Sequence, residues 1–141
     1  MSHDALRQDL ILSLGEIYQV RAFATLEDLL QGESRVLQYL AQHRSEDVYP
    51  SDLSRELRLS RSRITGALTS LRRKGLVETE HSEDDRRRVR VSITQAGLLL
   101  ILEKMQQMEH YFDQMIAGIG VEDSTSLIRI IRRCEEVMTH E

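Results

Sequence analysis

Apolar residues recur at steps of three and four over most of the chain. Between residues 4 and 24, Leu6, Leu10, Leu14, Ile17 and Phe23 recur at near-helical spacing, widened by Ile11, Tyr18 and Val20, and predict one helix. Val36, Leu37 and Leu40 predict a second helix after Gly32. Pro50 can open a third, because its missing N–H loses no partner at a first helical position, and Leu53 and Leu57 mark its buried side. Arg58-Leu59-Ser60 reads as a tight turn that leaves Ser60 as the N-cap of a fourth helix. That helix carries Ile64, Ala67, Leu68 and Leu71 on one face, runs to about Lys74 and stops at Gly75.

The period then changes. Residues 76–80 and 89–93 are short alternating stretches; in the second, Val89, Val91 and Ile93 point one way, Arg90 and Ser92 the other. The segment between them, 82–88, is polar and charged throughout, as suits a hairpin tip. Thr94 can cap a long fifth helix to about residue 117, with Leu98, Leu99, Leu102, Met105, Met108, Phe112 and Met115 apolar, and Gly118 and Gly120 are expected to break it. A last helix over 122–138 has a seam of Leu127, Ile130, Ile131, Cys134, Val137 and Met138. The order predicts a mainly α fold with a small β-hairpin wing, a winged helix-turn-helix core between N- and C-terminal helices. We expect a single domain over 1–141: a DNA-binding lobe at 30–97, and helices at 1–29 and 98–141 forming a dimerisation lobe. The outer helices carry more apolar surface than one small core needs, and such a stripe usually meets a partner subunit.

Composition sharpens this picture. One Pro, no Trp and six Phe or Tyr favour helices over a sandwich or barrel. No signal-peptide pattern opens the chain and no apolar run approaches a membrane span, so a cytoplasmic protein without membrane contact is expected. The formal net charge is −4, yet residues 51–90 sum to +4 and the remainder to −8. A basic centre on acidic arms suits a module that reads nucleic acid.

With the apolar face of the fourth helix turned inward, the opposite face shows Ser62, Thr65, Gly66, Thr69 and Arg73. Small polar groups let a helix approach base edges in the major groove, and hydroxyls can contact phosphates. Arg61 and Arg63 flank its N-terminal end, where the helix adds partial positive charge of its own. Arg86, Arg87 and Arg88 at the hairpin can bridge phosphates, with one guanidinium in the minor groove.

These stretches carry a resemblance. Residues 59–65 and 71–77 look like the recognition helix of the MarR family of winged helix-turn-helix transcription regulators. Asp85-Arg86-Arg87, Val91-Ser92-Ile93-Thr94 and Gly97 match its wing signature, with Ile93 in place of the usual leucine. The resemblance implies a homodimer on a palindromic double-stranded operator, usually a ligand-responsive repressor in the cytoplasm, nucleoid-associated, of a bacterium or archaeon. By position, Arg87 corresponds to the wing arginine that enters the minor groove and Asp85 to the acid that orders the wing through ion pairs. Ser60, Ser62, Arg63 and Thr65 correspond to positions near phosphates and bases. Gly66 stands where many relatives carry a longer side chain, and Tyr49 where a threonine usually caps the third helix. The resemblance also suggests a small-molecule effector pocket at Met105, Met108, Tyr111 and Phe112, residues whose spacing fits plain core packing equally well.

Other chemistries find less support. Cys134 lies in an apolar seam, where a cysteine normally acts as a small hydrophobe. His110 with Glu109 and Asp113 comes nearest to a ligand set, but no H-x3-H or Cys/His pair accompanies it, so neither metal nor cofactor is expected. No nucleophile–base pair, phosphate loop or paired carboxylates stand out, and no enzyme is expected. The alternative to a DNA-binding regulator is a winged-helix protein-interaction module that does not read DNA, which net acidity and Gly66 would favour.

Overall fold

The computed structural model describes residues 1–139; the last two positions of the expected dimerisation lobe, 140 and 141, lie outside the described residues. Seven helices and one hairpin follow in the order α1 His3–Ile17, α2 Arg21–Leu29, α3 Gly32–Gln42, α4 Pro50–Leu57, α5 Arg61–Arg73, β1 Val77–His81, β2 Val89–Ile93, α6 Gln95–Ile119 and α7 Val121–Thr139. The single helix expected over 4–24 is thus two. Val20 is extended (φ −71°, ψ 137°), and α2 starts anew from its carbonyl. The reason is rotational. Six residues from Ile17 to Phe23 turn a helix through 600°, about 120° away from the stripe. Only a break lets Ala22 and Leu29 reach the core and Phe23 pack edge-to-face on Phe112 of α6, centroids 5.7 Å apart.

The core gathers Val36, Leu37 and Leu40 from α3, Leu53 from α4, Ile64, Leu68 and Leu71 from α5, Val77 and Val91 from the hairpin, and Ile101 from α6. The turn between α4 and α5 is closed by Arg58, whose backbone is left-handed (φ 54°, ψ 44°), while the Ser54 hydroxyl donates to the Leu59 carbonyl at 2.6 Å. At the far end of α5, Gly75 has φ 73°; its N–H donates to the Arg72 carbonyl, and that of Leu76 reaches back to Leu71 at 2.9 Å. Such paired bonds finish a helix through a left-handed residue. The chain therefore leaves α5 straight into β1.

β1 and β2 pair antiparallel with Val77 opposite Ile93 and His81 opposite Val89. The strand expected at 76–80 begins one residue later, because Leu76 completes the helix end. Thr94 caps α6 as expected, accepting from Gly97 N–H at 3.0 Å, and its own hydroxyl donates to the Gly75 carbonyl at 2.7 Å. Gly118 does not break α6; the helix continues to Ile119 and ends at Gly120, where φ is 92°. A glycine inside a helix weakens it without stopping it, whereas a positive φ does stop it.

Neither α1 nor α7 contains a buried residue. Leu6, Leu10 and Leu14 on α1 and Ile128, Ile131 and Val137 on α7 stand open to solvent in the single chain. Among the described residues, no helix is long and apolar enough to cross a membrane.

Candidate nucleic-acid interface

α5 starts from Ser60, whose hydroxyl accepts the Arg63 N–H at 3.2 Å and lies 3.3 Å from the Ser62 hydroxyl. Behind it, Ser70 and Lys74 both donate to the Glu33 carboxylate of α3, at 2.9 and 3.0 Å. Burial pushes the Glu33 carboxyl up, but the hydrogen bonds from Lys74 and Ser70 and the charges of Lys74 and Lys104 outweigh it and hold the group below its ordinary value. This tie fixes the C-terminal half of α5 to the scaffold and leaves its outer face free.

On that face Ser62, Thr65, Gly66 and Arg73 are exposed and Thr69 is half-buried. The Thr65 hydroxyl donates to the Arg61 carbonyl at 2.9 Å and that of Thr69 to the Thr65 carbonyl at 2.8 Å. With their hydrogens directed into the helix, both hydroxyls face outward as acceptors. In a major groove that complements the exocyclic amino groups of adenine and cytosine. A Cβ added at Gly66 would meet nothing within 4 Å, so the glycine leaves a flat spot where a backbone or base edge can come close.

The hairpin tip is built by a turn in which Arg88 N–H donates to the Asp85 carbonyl at 3.0 Å. The Asp85 carboxylate accepts the Arg87 N–H at 3.0 Å. This corrects the expectation that Asp85 orders the wing through ion pairs: its partner is a backbone amide, and among the described residues it forms no salt bridge. The carboxylate closes the turn and leaves the neighbouring guanidiniums uncommitted. The His81 ring also meets the Arg86 carbonyl at 2.9 Å, and Ser82 N–H donates to Arg88 at 2.9 Å.

The wing is seated on the segment before α4. Val91 N–H donates to the Val48 carbonyl at 2.8 Å, Arg90 meets Asp47 at 3.5 Å and Glu80 at 3.7 Å, and the Arg88 guanidinium lies 3.8 Å above the centre of the Tyr49 ring. Among the described residues Arg61, Arg63, Arg73, Arg86 and Arg87 form no ion pair, whereas Arg55 and Arg90 do. Unpaired guanidiniums beside a hydroxyl-lined helix are what a polyanion would require.

A cleft of about 280 Å³ joins helix and wing, lined by Tyr49 and Ser51, by Arg61 and Thr65, and by Arg87 and Arg88. Four residues expected at an interface thus share one concavity. Ser60, Ser62 and Arg63 sit at the α5 N-terminal end, Thr69 and Arg73 lie further along the helix, and Asp85 and Arg86 are at the wing tip. Nothing in the sequence pattern marks Ser51, and Tyr49 stands out there only as a replacement for a capping threonine. The Asp52 carboxylate accepts the Tyr49 N–H at 2.9 Å, the reciprocal half of a capping box, while the Tyr49 ring lies under Arg88. An aromatic residue directly before Pro50 was the available signal.

The expected effector pocket is only partly a pocket. Met105 and Met108 pack against the core and Phe112 packs on Phe23. Tyr111 lines a cleft of about 250 Å³ between α2 and α6, together with Arg21, Thr25, Asp28, Lys104 and Gln107. Its rim is more polar than the methionine pattern suggested, and Lys104 is paired with Asp28 at 2.9 Å.

The sequence pattern of the MarR family matches residues 27–88, from α2 to the wing. The chain is 26% identical over 99 residues to the HTH-type transcriptional repressor YetL of Bacillus subtilis, an alignment covering 67% of this chain and 59% of that protein. The chain spans 56 to 59% of the length of the curated relatives it matches. In fold it is similar to the crystal structure of YusO from Bacillus subtilis (TM-score 0.70, 20% identity, 96% of this chain and 99% of the other). It is also similar to a mutant of Staphylococcus aureus MepR bound to an oligodeoxyribonucleotide (TM-score 0.64, 17% identity, 94% and 97% covered).

Proposed function

We propose that this chain, whose residues 27–88 match the sequence pattern of the MarR family, is a regulator of that kind: a dimeric, sequence-specific, double-stranded-DNA-binding transcription regulator, a ligand-responsive repressor rather than an enzyme. The observation that carries this reading is the shared cleft of α5 and the wing. The unpaired guanidiniums of Arg61 and Arg87 converge there beside the Thr65 hydroxyl, which can accept a hydrogen bond from a base. The repressor YetL and the oligodeoxyribonucleotide-bound MepR mutant support it from the side of the relatives.

In this reading α5 lies in the major groove and the wing reaches the adjacent minor groove with Arg87. Residues 30–97 act as the DNA-binding lobe, and α1, α6 and α7 join two copies. A palindromic operator then places the two α5 helices about 34–36 Å apart, one turn of DNA. The cleft beside Tyr111 is the place for a small effector, because α2 and α6 that line it connect the two lobes. Such a regulator works in the cytoplasm.

The test is a gel-shift titration on duplexes from the region upstream of its own gene, at low and high salt, with analytical ultracentrifugation of the free protein. Retardation that weakens steeply with salt and a sedimenting dimer are expected. No retardation at low salt would refute the DNA reading and favour the protein-interaction module.

A further inference from the structure

Of the three consecutive wing arginines, one is directed differently. Arg86 and Arg87 occupy the tip of the turn, whereas Arg88 is drawn back over the Tyr49 ring at 3.8 Å. Residues 47–49 meet the wing at three consecutive places: Asp47 on Arg90, the Val48 carbonyl on Val91 N–H, and Tyr49 on Arg88. The first two hold the strand. The Tyr49–Arg88 stack is the contact nearest the tip, since Arg88 closes both the turn at Asp85 and the bond to Ser82. Tyr49 is in turn fixed at the start of α4, by its N–H on Asp52 and by Pro50 beside it.

From this geometry we infer that Tyr49 and Arg88 are positioning residues of the wing. The stacked pair clamps the hairpin to the start of α4 and aims Arg86 and Arg87, and Arg88 itself adds no phosphate contact. The inference rests on the DNA reading above for its effect on affinity, but not for its effect on the free protein. An exposed guanidinium such as that of Arg88, over the half-buried Tyr49, is worth about 0.5–1 kcal/mol, which corresponds to roughly a two- to fivefold change in binding if the tip is misplaced without it.

The experiment compares Arg86→Ala, Arg87→Ala, Arg88→Ala, Tyr49→Leu, Tyr49→Phe and the Tyr49→Leu/Arg88→Ala double variant, each verified as folded by its melting curve. In free protein, 15N order parameters at the amides of residues 86 and 87 should fall equally in Tyr49→Leu and Arg88→Ala and stay at the parent value in Tyr49→Phe. On a bound duplex, Arg86→Ala and Arg87→Ala should each lower the slope of log affinity against log salt by about one. Arg88→Ala should weaken binding about two- to fivefold with the slope unchanged. Tyr49→Leu should match it, the double variant should be no weaker than either single one, and Tyr49→Phe should bind like the parent. The inference is overturned by a slope that falls by about one in Arg88→Ala, by additive losses in the double variant, or by unchanged tip order in Tyr49→Leu. A parent chain that binds no duplex refutes the DNA reading alone, since the order parameters still decide whether the stack orients the tip.

Discussion

Replacing Gly97 with alanine tests how α6 is docked on the end of α5 and the hairpin. Gly97 is buried in the first turn of α6, where Thr94 ties the helix to the end of α5 through the Gly75 carbonyl. A Cβ built there would overlap the Leu76 carbonyl oxygen, lie 3.0 Å from its carbon and 2.9 Å from Cγ1 of Ile93. The obstacle is mainly backbone. The Leu76 carbonyl accepts the Thr94 N–H at 3.1 Å and cannot retreat without loosening the α6 cap and the β1–β2 register. Inserting a methyl into so tight a contact costs about 3 kcal/mol, the upper part of the usual range for overpacking. For a chain of this size that corresponds to a fall of about 10 °C in melting temperature. Gly66→Ala is the matched control, because its Cβ meets open space in a regular helix; it should gain about 0.5–1 kcal/mol. Circular-dichroism melts at one fixed chain concentration read both, since association would otherwise shift the midpoints. If Gly97→Ala melts within about 2 °C of the parent, the packing argument is wrong.

Gly66→Ala, although more stable, should bind DNA less tightly in the same gel-shift titration, because its methyl fills the flat spot on α5; equal affinity would show that nothing approaches there. Arg87→Ala should lose affinity for all duplexes and any preference for A·T pairs flanking the site, and a variant that binds like the parent refutes the placement of the wing. Thr69→Val removes an outward acceptor while keeping the shape. At the base pair it faces, replacing adenine by purine should weaken the parent about two- to tenfold and leave the variant indifferent. Glu33 has a carboxyl held below its ordinary value of 4.5, so it stabilises the fold above about pH 4.5 and loses that contribution as pH falls through its lower folded value. Melting temperatures at about pH 6 and pH 3 should therefore fall further in the parent than in Glu33→Gln; equal falls would mean that the tie to α5 contributes nothing.

The parts that could be read from sequence are those whose signals are local. Ser60, Thr94 and Gly75 each announce a helix end within a few residues, and the step-two pattern of Val89–Ile93 could belong only to a strand. The break at 18–20 was hidden because Tyr18 and Val20 continue an apolar count, and only the phase of Phe23 betrays it. The left-handed Arg58 carries no sequence mark, since the turn is imposed by Ser54 and Leu59 rather than by a permissive residue. At the interface the residue types were plain and the partners were not. Whether Asp85 meets a guanidinium or an amide depends on the exact shape of the turn at 85–88, and whether Arg88 points to solvent or to Tyr49 depends on a contact between segments some 40 residues apart.

The bare apolar flanks of α1 and α7 have a consequence for dosage. If a second copy covers those flanks, as the proposed function has it, the DNA-competent species forms by mass action. Far below the midpoint of that association, the number of competent pairs rises with the square of the number of chains. Halving synthesis then removes about three-quarters of the pairs. Operator occupancy would thus answer sharply to expression level even before any effector is present, and a regulator that represses its own gene would hold its number near that threshold.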